Sequence, residues 1–179
     1  MNFLQLCARA PSAHLRCCYS EDVDYRLYRP DDFTALYAIE ESCFAPPFRF
    51  NRAYMRQLVT SPHAATWIAE EDGQMAGFAI VEWNREPTGV EAYIQTIEVA
   101  PEQRRRGIGA ELLRRAEDSA RGAGAHLIWL HVHEDNASAQ RLYDTQGYRR
   151  EGREEHYYAR GQAALVAIKP LDAVGDSPA

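Results

Sequence analysis

The run Thr96-Ile97-Glu98-Val99-Ala100-Pro101-Glu102-Gln103-Arg104-Arg105-Arg106-Gly107-Ile108-Gly109-Ala110-Glu111-Leu112-Leu113 constrains this chain more than any other stretch. It reads as a strand, a turn stopped by Pro101, a basic loop with glycines, and a helix. Ile108, Leu112, Leu113, Ala116 and Ala120 recur at helical spacing, which predicts a helix starting near Ile108. Gly107 and Gly109 lie at that start, where a missing Cβ lets a ligand approach the backbone. The unpaired N–H groups of the first turn, the positive helix end and three arginines together suit a phosphate or pyrophosphate. The loop is not a Walker P-loop, because no Gly-Lys-Ser/Thr follows the second glycine. A dinucleotide fingerprint fails as well, since Leu112 stands where its third glycine belongs.

At 179 residues, with 46% hydrophobic and 26% charged residues, the chain has the size and composition of one soluble globular domain. A net charge of −6 argues against a general nucleic-acid or anionic-membrane surface. The basic triplet is therefore a local feature, suited to a small anion. Cys7, Cys17, Cys18 and Cys43 show no Cys-x-x-Cys spacing, so neither a disulfide framework nor a zinc cage is expected. No apolar run reaches membrane-spanning length, and the interrupted start of the chain does not read as a secretory signal. Residues 1–23 are expected to be a disordered extension, 24–171 one domain, and 172–179 a disordered tail. The expected location is the cytoplasm.

In chain order, Tyr25-Arg26-Leu27-Tyr28 predicts a short strand. Pro30-Asp31-Asp32 opens a helix whose apolar face carries Phe33, Leu36, Tyr37 and Ala38. Cys43-Phe44-Ala45-Pro46-Pro47-Phe48 breaks it with a stiff aromatic loop, and Asn51 caps a second short helix. Asp72-Gly73 is a strong hairpin signal between residues 66–70 and 74–83. A loop over 84–89 leads to a long strand over 90–99. After the central helix come a strand over 126–133 and a helix from Asn136 to Gly147. Two last strands, 148–154 and 164–169, are joined by a loop holding Tyr157-Tyr158.

The strand over 127–133 alternates cleanly. Ile128, Leu130 and Val132 face one way; Trp129, His131 and His133 face the other. Two histidines on one face lack further ligands at useful spacing, so no metal is expected, and His133 reads as structural.

The run Arg104-x-x-Gly107-x-Gly109 resembles the coenzyme A loop of the GCN5-related N-acetyltransferases (GNAT). The segment Asn136-Ala137-Ser138-Ala139-Gln140-Arg141-Leu142-Tyr143-Asp144-Thr145-Gln146-Gly147-Tyr148 resembles the family's closing motif. The resemblance implies the GNAT fold: an α/β architecture with a central mixed β-sheet of about seven strands and about four helices on both faces. It implies acetyl-CoA as cosubstrate, bound by Ile97, Val99, Arg104, Arg105, Arg106, Gly107, Gly109, Ala110, Asn136 and Tyr143. Asn136 and Tyr143 lie two helical turns apart and share a face.

Tyr93-Ile94-Gln95-Thr96, Leu130-His131-Val132 and Tyr157-Tyr158 further resemble protein N-terminal acetyltransferases, including the ribosomal-protein alanine type. In some members a tyrosine and a histidine at the positions of Tyr93 and His131 hold the water that takes the amine proton. The bacterial ribosomal type has a glutamate where His131 stands. The resemblance gives Tyr93, His131 and Tyr143 catalytic roles, and Phe44, Pro47, Tyr93, Tyr157 and Tyr158 substrate-binding roles. The chemistry needs such groups. An α-amine of pKa near 8 must lose a proton before attack, and a neutral imidazole accepts one. A backbone N–H at the end of the 97–99 strand can face the oxygen that gains charge. The expected acceptor is a protein or peptide α-amine. A small amine is the alternative, and a coenzyme-binding module without catalysis is a third reading.

Overall fold

The computed structural model describes residues 23–46 and 48–171. The expected extension (apart from Val23), the tail and Pro47 lie outside the described residues. The elements are β1 (Asp24–Leu27), α1 (Phe33–Cys43), α2 (Arg52–Thr60), β2 (Ala64–Glu71), β3 (Gln74–Glu86) and β4 (Gly89–Val99). There follow α3 (Ile108–Gly122), β5 (Ala125–His133), α4 (Ala137–Thr145), β6 (Arg149–Ala159) and β7 (Gln162–Pro170). One 7-stranded sheet runs in the order β1-β2-β3-β4-β5-β7-β6. Its pairs are antiparallel except β4 with β5, so the expected mixed sheet with four helices is present.

Strand alternation assigns the two faces. Phe78 and Ile80 of β3 pack with Ile68 against Leu36 of α1 and Met55 and Leu58 of α2. Val81, one residue on, joins Ala92, Ile94, Ile128 and Leu130 under Leu113, Ala116 and Ala120 of α3. Each large aliphatic side chain so buried contributes about 1.5–3 kcal/mol. At Gly77 a Cβ would meet the Glu98 carbonyl oxygen at 2.5 Å. Glycine there lets β3 and β4 close together just before the basic loop.

Two loops differ from expectation. Residues 84–89 shrink to a tight hairpin, because β3 runs on to Glu86, which pairs with Gly89. Pro87 sits in the turn itself, where its missing N–H costs no ladder bond. The second difference matters more. Tyr157 and Tyr158 belong to β6 rather than to a loop. Residues 149–157 of this edge strand are exposed and strongly charged, so no inward-outward alternation marks them as a strand. The pairing is also irregular, with a register shift between Glu154 and Ala159 and a positive φ of 58° at His156. A bulge of that kind re-aims side chains.

Candidate active site

The site is built on a parting of strands. β4 and β5 pair from Val90–Ala125 to Tyr93–Trp129, and no pairing between them continues beyond. At that point Val81 pairs with Ile94 but Ile80 pairs with Thr96, so Gln95 is an extra residue bulged out of β4. The bulge bends β4 away from β5 and opens a cleft between residues 94–97 and 129–133. This cleft, about 1040 Å³, also takes its walls from Phe44, Phe48, Phe50 and Tyr54 on one side and Tyr157 and Tyr158 on the other. A second cleft of about 670 Å³ runs along the basic loop and the start of α3. The two meet at Phe44, Ile97, Asn136, Ala139 and Tyr143.

On β5 the observed alternation is the expected one: Ile128, Leu130 and Val132 are buried in the core, while Trp129, His131 and His133 line the cleft. Tyr93 Oη lies 3.1 Å from His131 Nδ1 and 3.2 Å from Tyr157 Oη. Tyr157 stacks on the His131 ring at 3.9 Å between centroids, and Trp129 meets Tyr93 at 4.5 Å. The His131 side chain is only 7% exposed. Burial, reinforced by the hydrogen bond between Tyr93 and Tyr157, pushes the Tyr93 phenol well above its ordinary pKa. Tyr93 therefore holds its proton at neutral pH.

His133, read from the sequence as structural, also faces the cleft. Its Nδ1 accepts a hydrogen bond from the Asp135 N–H at 3.1 Å, and its ring lies beside Tyr158 at 5.3 Å. Phe48 meets both rings edge-on. Burial, then Tyr157, pushes Tyr158 up to about 12. Tyr143 is buried where the clefts join, and burial raises its pKa above that of an ordinary phenol.

The second cleft fits a phosphate-bearing ligand. Gly107 caps α3 in the left-handed region, with φ of 83°, a conformation that favours glycine. The start of α3 lies where Gly107, Ile108, Gly109 and Ala110 line the cleft, with the Ala110 N–H donating to the Gly107 carbonyl at 3.0 Å. A Cβ on Gly109 would make only ordinary contacts, with Leu142 at 3.6 Å and Val99 at 3.7 Å. Arg104 and Arg105 line the cleft; Arg104 also donates from Nε to the Val99 carbonyl at 3.1 Å. Arg106 is turned to Glu71 and Gln103 and is not part of the lining. Asn136 caps α4, its Oδ1 accepting from the Ala139 N–H, while it lines both clefts.

Phe44, expected among the substrate-binding residues, lies at the junction of the two clefts. The sequence reading missed Phe50 and Tyr54 as cleft walls. It also missed Glu40 and Glu98, both buried, whose carboxyls hydrogen-bond one another. Among the described residues Oε2 of each has no other partner, and burial first, then Glu40, raises the Glu98 pKa strongly. Glu98 is thereby biased toward its protonated form. Signals existed: Glu40 follows Leu36 at i+4 on the apolar face of α1, and Glu98 breaks an apolar strand.

A family profile described as "Acetyltransferase (GNAT) family" matches residues 33–148. The chain is 30% identical over 142 residues to a Bacillus subtilis protein described as a putative [ribosomal protein bS18]-alanine N-acetyltransferase. That alignment covers 79% of this chain and 91% of that one. It is 40% identical over 106 residues to the streptothricin acetyltransferase of Streptomyces lavendulae, covering 55% of this chain and spanning about half (53%) of that relative's length. The crystal structure of the ribosomal-protein-S18-alanine N-acetyltransferase from Escherichia coli superposes with a TM-score of 0.74 at 24% identity. The match covers 88% of this chain and 99% of that one.

Proposed function

The chain belongs to the GNAT acetyltransferase family, and from that premise we propose that it transfers acetyl from acetyl-CoA to the α-amine of a protein or peptide. The observation that carries this reading is the Tyr93–His131–Tyr157 cluster at the floor of an aromatic cleft that joins the basic-loop cleft. The acceptor cleft is large for a small amine. Among its described lining residues only Glu40 and Asp135 carry carboxylates, and Glu40 is engaged with Glu98. A polycationic acceptor needs several carboxylates, whereas an extended peptide end needs aromatic walls and hydrogen-bonding hydroxyls.

Acetyl-CoA, when bound, supplies the acetyl group activated as a thioester. Arg104, Arg105 and the first-turn N–H groups of α3 would hold its phosphates, and Asn136, Ile97 and Val99 would line its path to Tyr143. The acceptor's ammonium must lose a proton before its nitrogen can attack. His131 takes that proton through the Tyr93 hydroxyl or a water held on it. Tyr143 keeps its own proton at neutral pH and is placed to give it up as the sulfur leaves. Phe44, Tyr157 and Tyr158 grip the first residues of the peptide. The cytoplasm is the proposed location, where both acetyl-CoA and nascent protein ends are present.

A second reading, acetylation of a small-molecule amine, is favoured by the likeness to streptothricin acetyltransferase. One experiment separates the two. Short peptides with free and blocked N-termini, spermidine and streptothricin are offered with labelled acetyl-CoA. The proposal expects the free peptide to have the highest kcat/KM and blocking to abolish transfer. A win for either small amine, or label on the blocked peptide, replaces the proposal with the second reading.

A further inference from the structure

His131 has a second ring nitrogen, and its surroundings assign it a role. Among the described residues, Nε2 is buried from solvent and lacks an aligned hydrogen-bond partner. Glu154 Oε1 of β6 nevertheless lies 3.2 Å from it. Of the titratable or charged groups facing this ring, Tyr93 comes from β4, and Tyr157 and Glu154 from β6. Two tautomers fit the Tyr93 contact, but they differ at Nε2. With the proton on Nδ1, the bare lone pair of the buried Nε2 would lie beside a carboxylate oxygen, and the two would repel. With the proton on Nε2, the N–H lies within hydrogen-bond distance of that oxygen, and a rotation of the exposed Glu154 side chain would align the two.

We infer that Glu154 is a positioning residue that holds His131 as the Nε2–H tautomer, leaving Nδ1 as the basic atom behind Tyr93. This deepens the proposed reaction and rests on it for its catalytic consequence. The proton balance is then definite. The acceptor's N–H bond breaks as an O–H bond forms on Tyr93, and the original Tyr93 proton passes to His131 Nδ1. The imidazolium so formed carries its second proton on Nε2, against the Glu154 carboxylate. Tautomer control by a carboxylate on the far nitrogen is how a histidine is aimed in other proton-transfer sites.

The test is nitrogen NMR of the full chain with labelled histidine, alongside steady-state kinetics. The wild-type protein is expected to show Nε2 protonated and Nδ1 bare above the imidazole titration. Glu154→Ala should move the ring toward the Nδ1–H form and reduce kcat by about 10-fold or more. Glu154→Gln, whose carbonyl oxygen can still accept from Nε2–H, should restore the tautomer and most of kcat. Because the Glu154 side chain is 54% exposed, its loss leaves the core intact, which an unchanged melting temperature confirms. The inference is overturned by Nδ1–H in the wild type, by an unchanged spectrum in Glu154→Ala, or by a changed spectrum with unchanged kcat. The spectrum needs no acceptor. A protein with the expected tautomer that acetylates no peptide therefore contradicts the substrate reading alone.

Discussion

The phenol ring of Tyr157 lies on the imidazole of His131, 3.9 Å between centroids and 20° from parallel. The two residues come from β6 and β5, strands separated in the sheet by β7. Only the irregular end of β6, past the positive φ of His156, brings the phenol over the ring. Such a stack contributes about 0.5–1.5 kcal/mol beyond the area it buries. Tyr157→Phe keeps it and loses only the Oη contact to Tyr93, so kcat/KM should stay within about threefold of wild type, under 1 kcal/mol of barrier. Tyr157→Ala removes both and should cost about tenfold or more. Equal losses in the two variants would assign the effect to the hydroxyl rather than to the stack.

The coenzyme cleft is tested at Gly109. A side chain there meets only ordinary contacts, and an acid near a helix N-terminus favours the helix. Gly109→Asp should therefore fold with near-normal stability while repelling a phosphate. Wild-type protein should gain about 2.7 kcal/mol of stability when acetyl-CoA exceeds its Kd a hundredfold. The variant should gain little. Unchanged affinity by calorimetry would move the phosphate site elsewhere.

The buried pair of Glu40 and Glu98 predicts a pH effect on stability. Because the folded-state pKa of Glu98 is raised above its unfolded value, the folded protein holds a proton that the unfolded chain releases. Stability is thus fully present below the ordinary carboxylate range and declines as pH rises through it toward the folded pKa. The paired carboxylates Asp32, Glu71, Glu111 and Glu134 are shifted the other way and lose their contribution only as pH falls. Urea melts from about pH 6 to about pH 9 should then isolate the Glu98 slope. Glu98→Gln keeps the bond accepted from Thr96, donates to Glu40 and does not titrate. Its stability should be flat over that range, and a slope like that of wild type would show that Glu98 is not its source.

Periodicity and turn chemistry made most of this fold legible. Asp72-Gly73, Asn51 and the 108–120 spacing each mark a boundary that the structure keeps. β6 was legible only as far as Glu154, because residues 149–157 are exposed and present no buried face to show where the strand continues. The consequence reaches the site: Tyr157 and Tyr158 were recognised by type, but their approach to His131 and His133 depends on a bulge that no local signal announces. Arg106 illustrates the opposite limit. Three adjacent arginines look alike in sequence, yet Glu71 across the loop draws Arg106 to β2. Partners distant in sequence decide which charge faces the cleft.

The central claim, that the acceptor's proton passes to His131 through Tyr93, is met most directly by the pH dependence of kcat/KM. The acceptor should be a peptide whose amine pKa is known independently. A histidine base gives an acidic limb separate from the amine's own titration. His131→Ala should lose that limb and about 10²–10⁴-fold of kcat while still binding acetyl-CoA, since His131 does not line the basic-loop cleft. A His131→Ala enzyme with near-normal rate and the same acidic limb would contradict the account, leaving His131 as a structural residue and bulk water as the proton's destination.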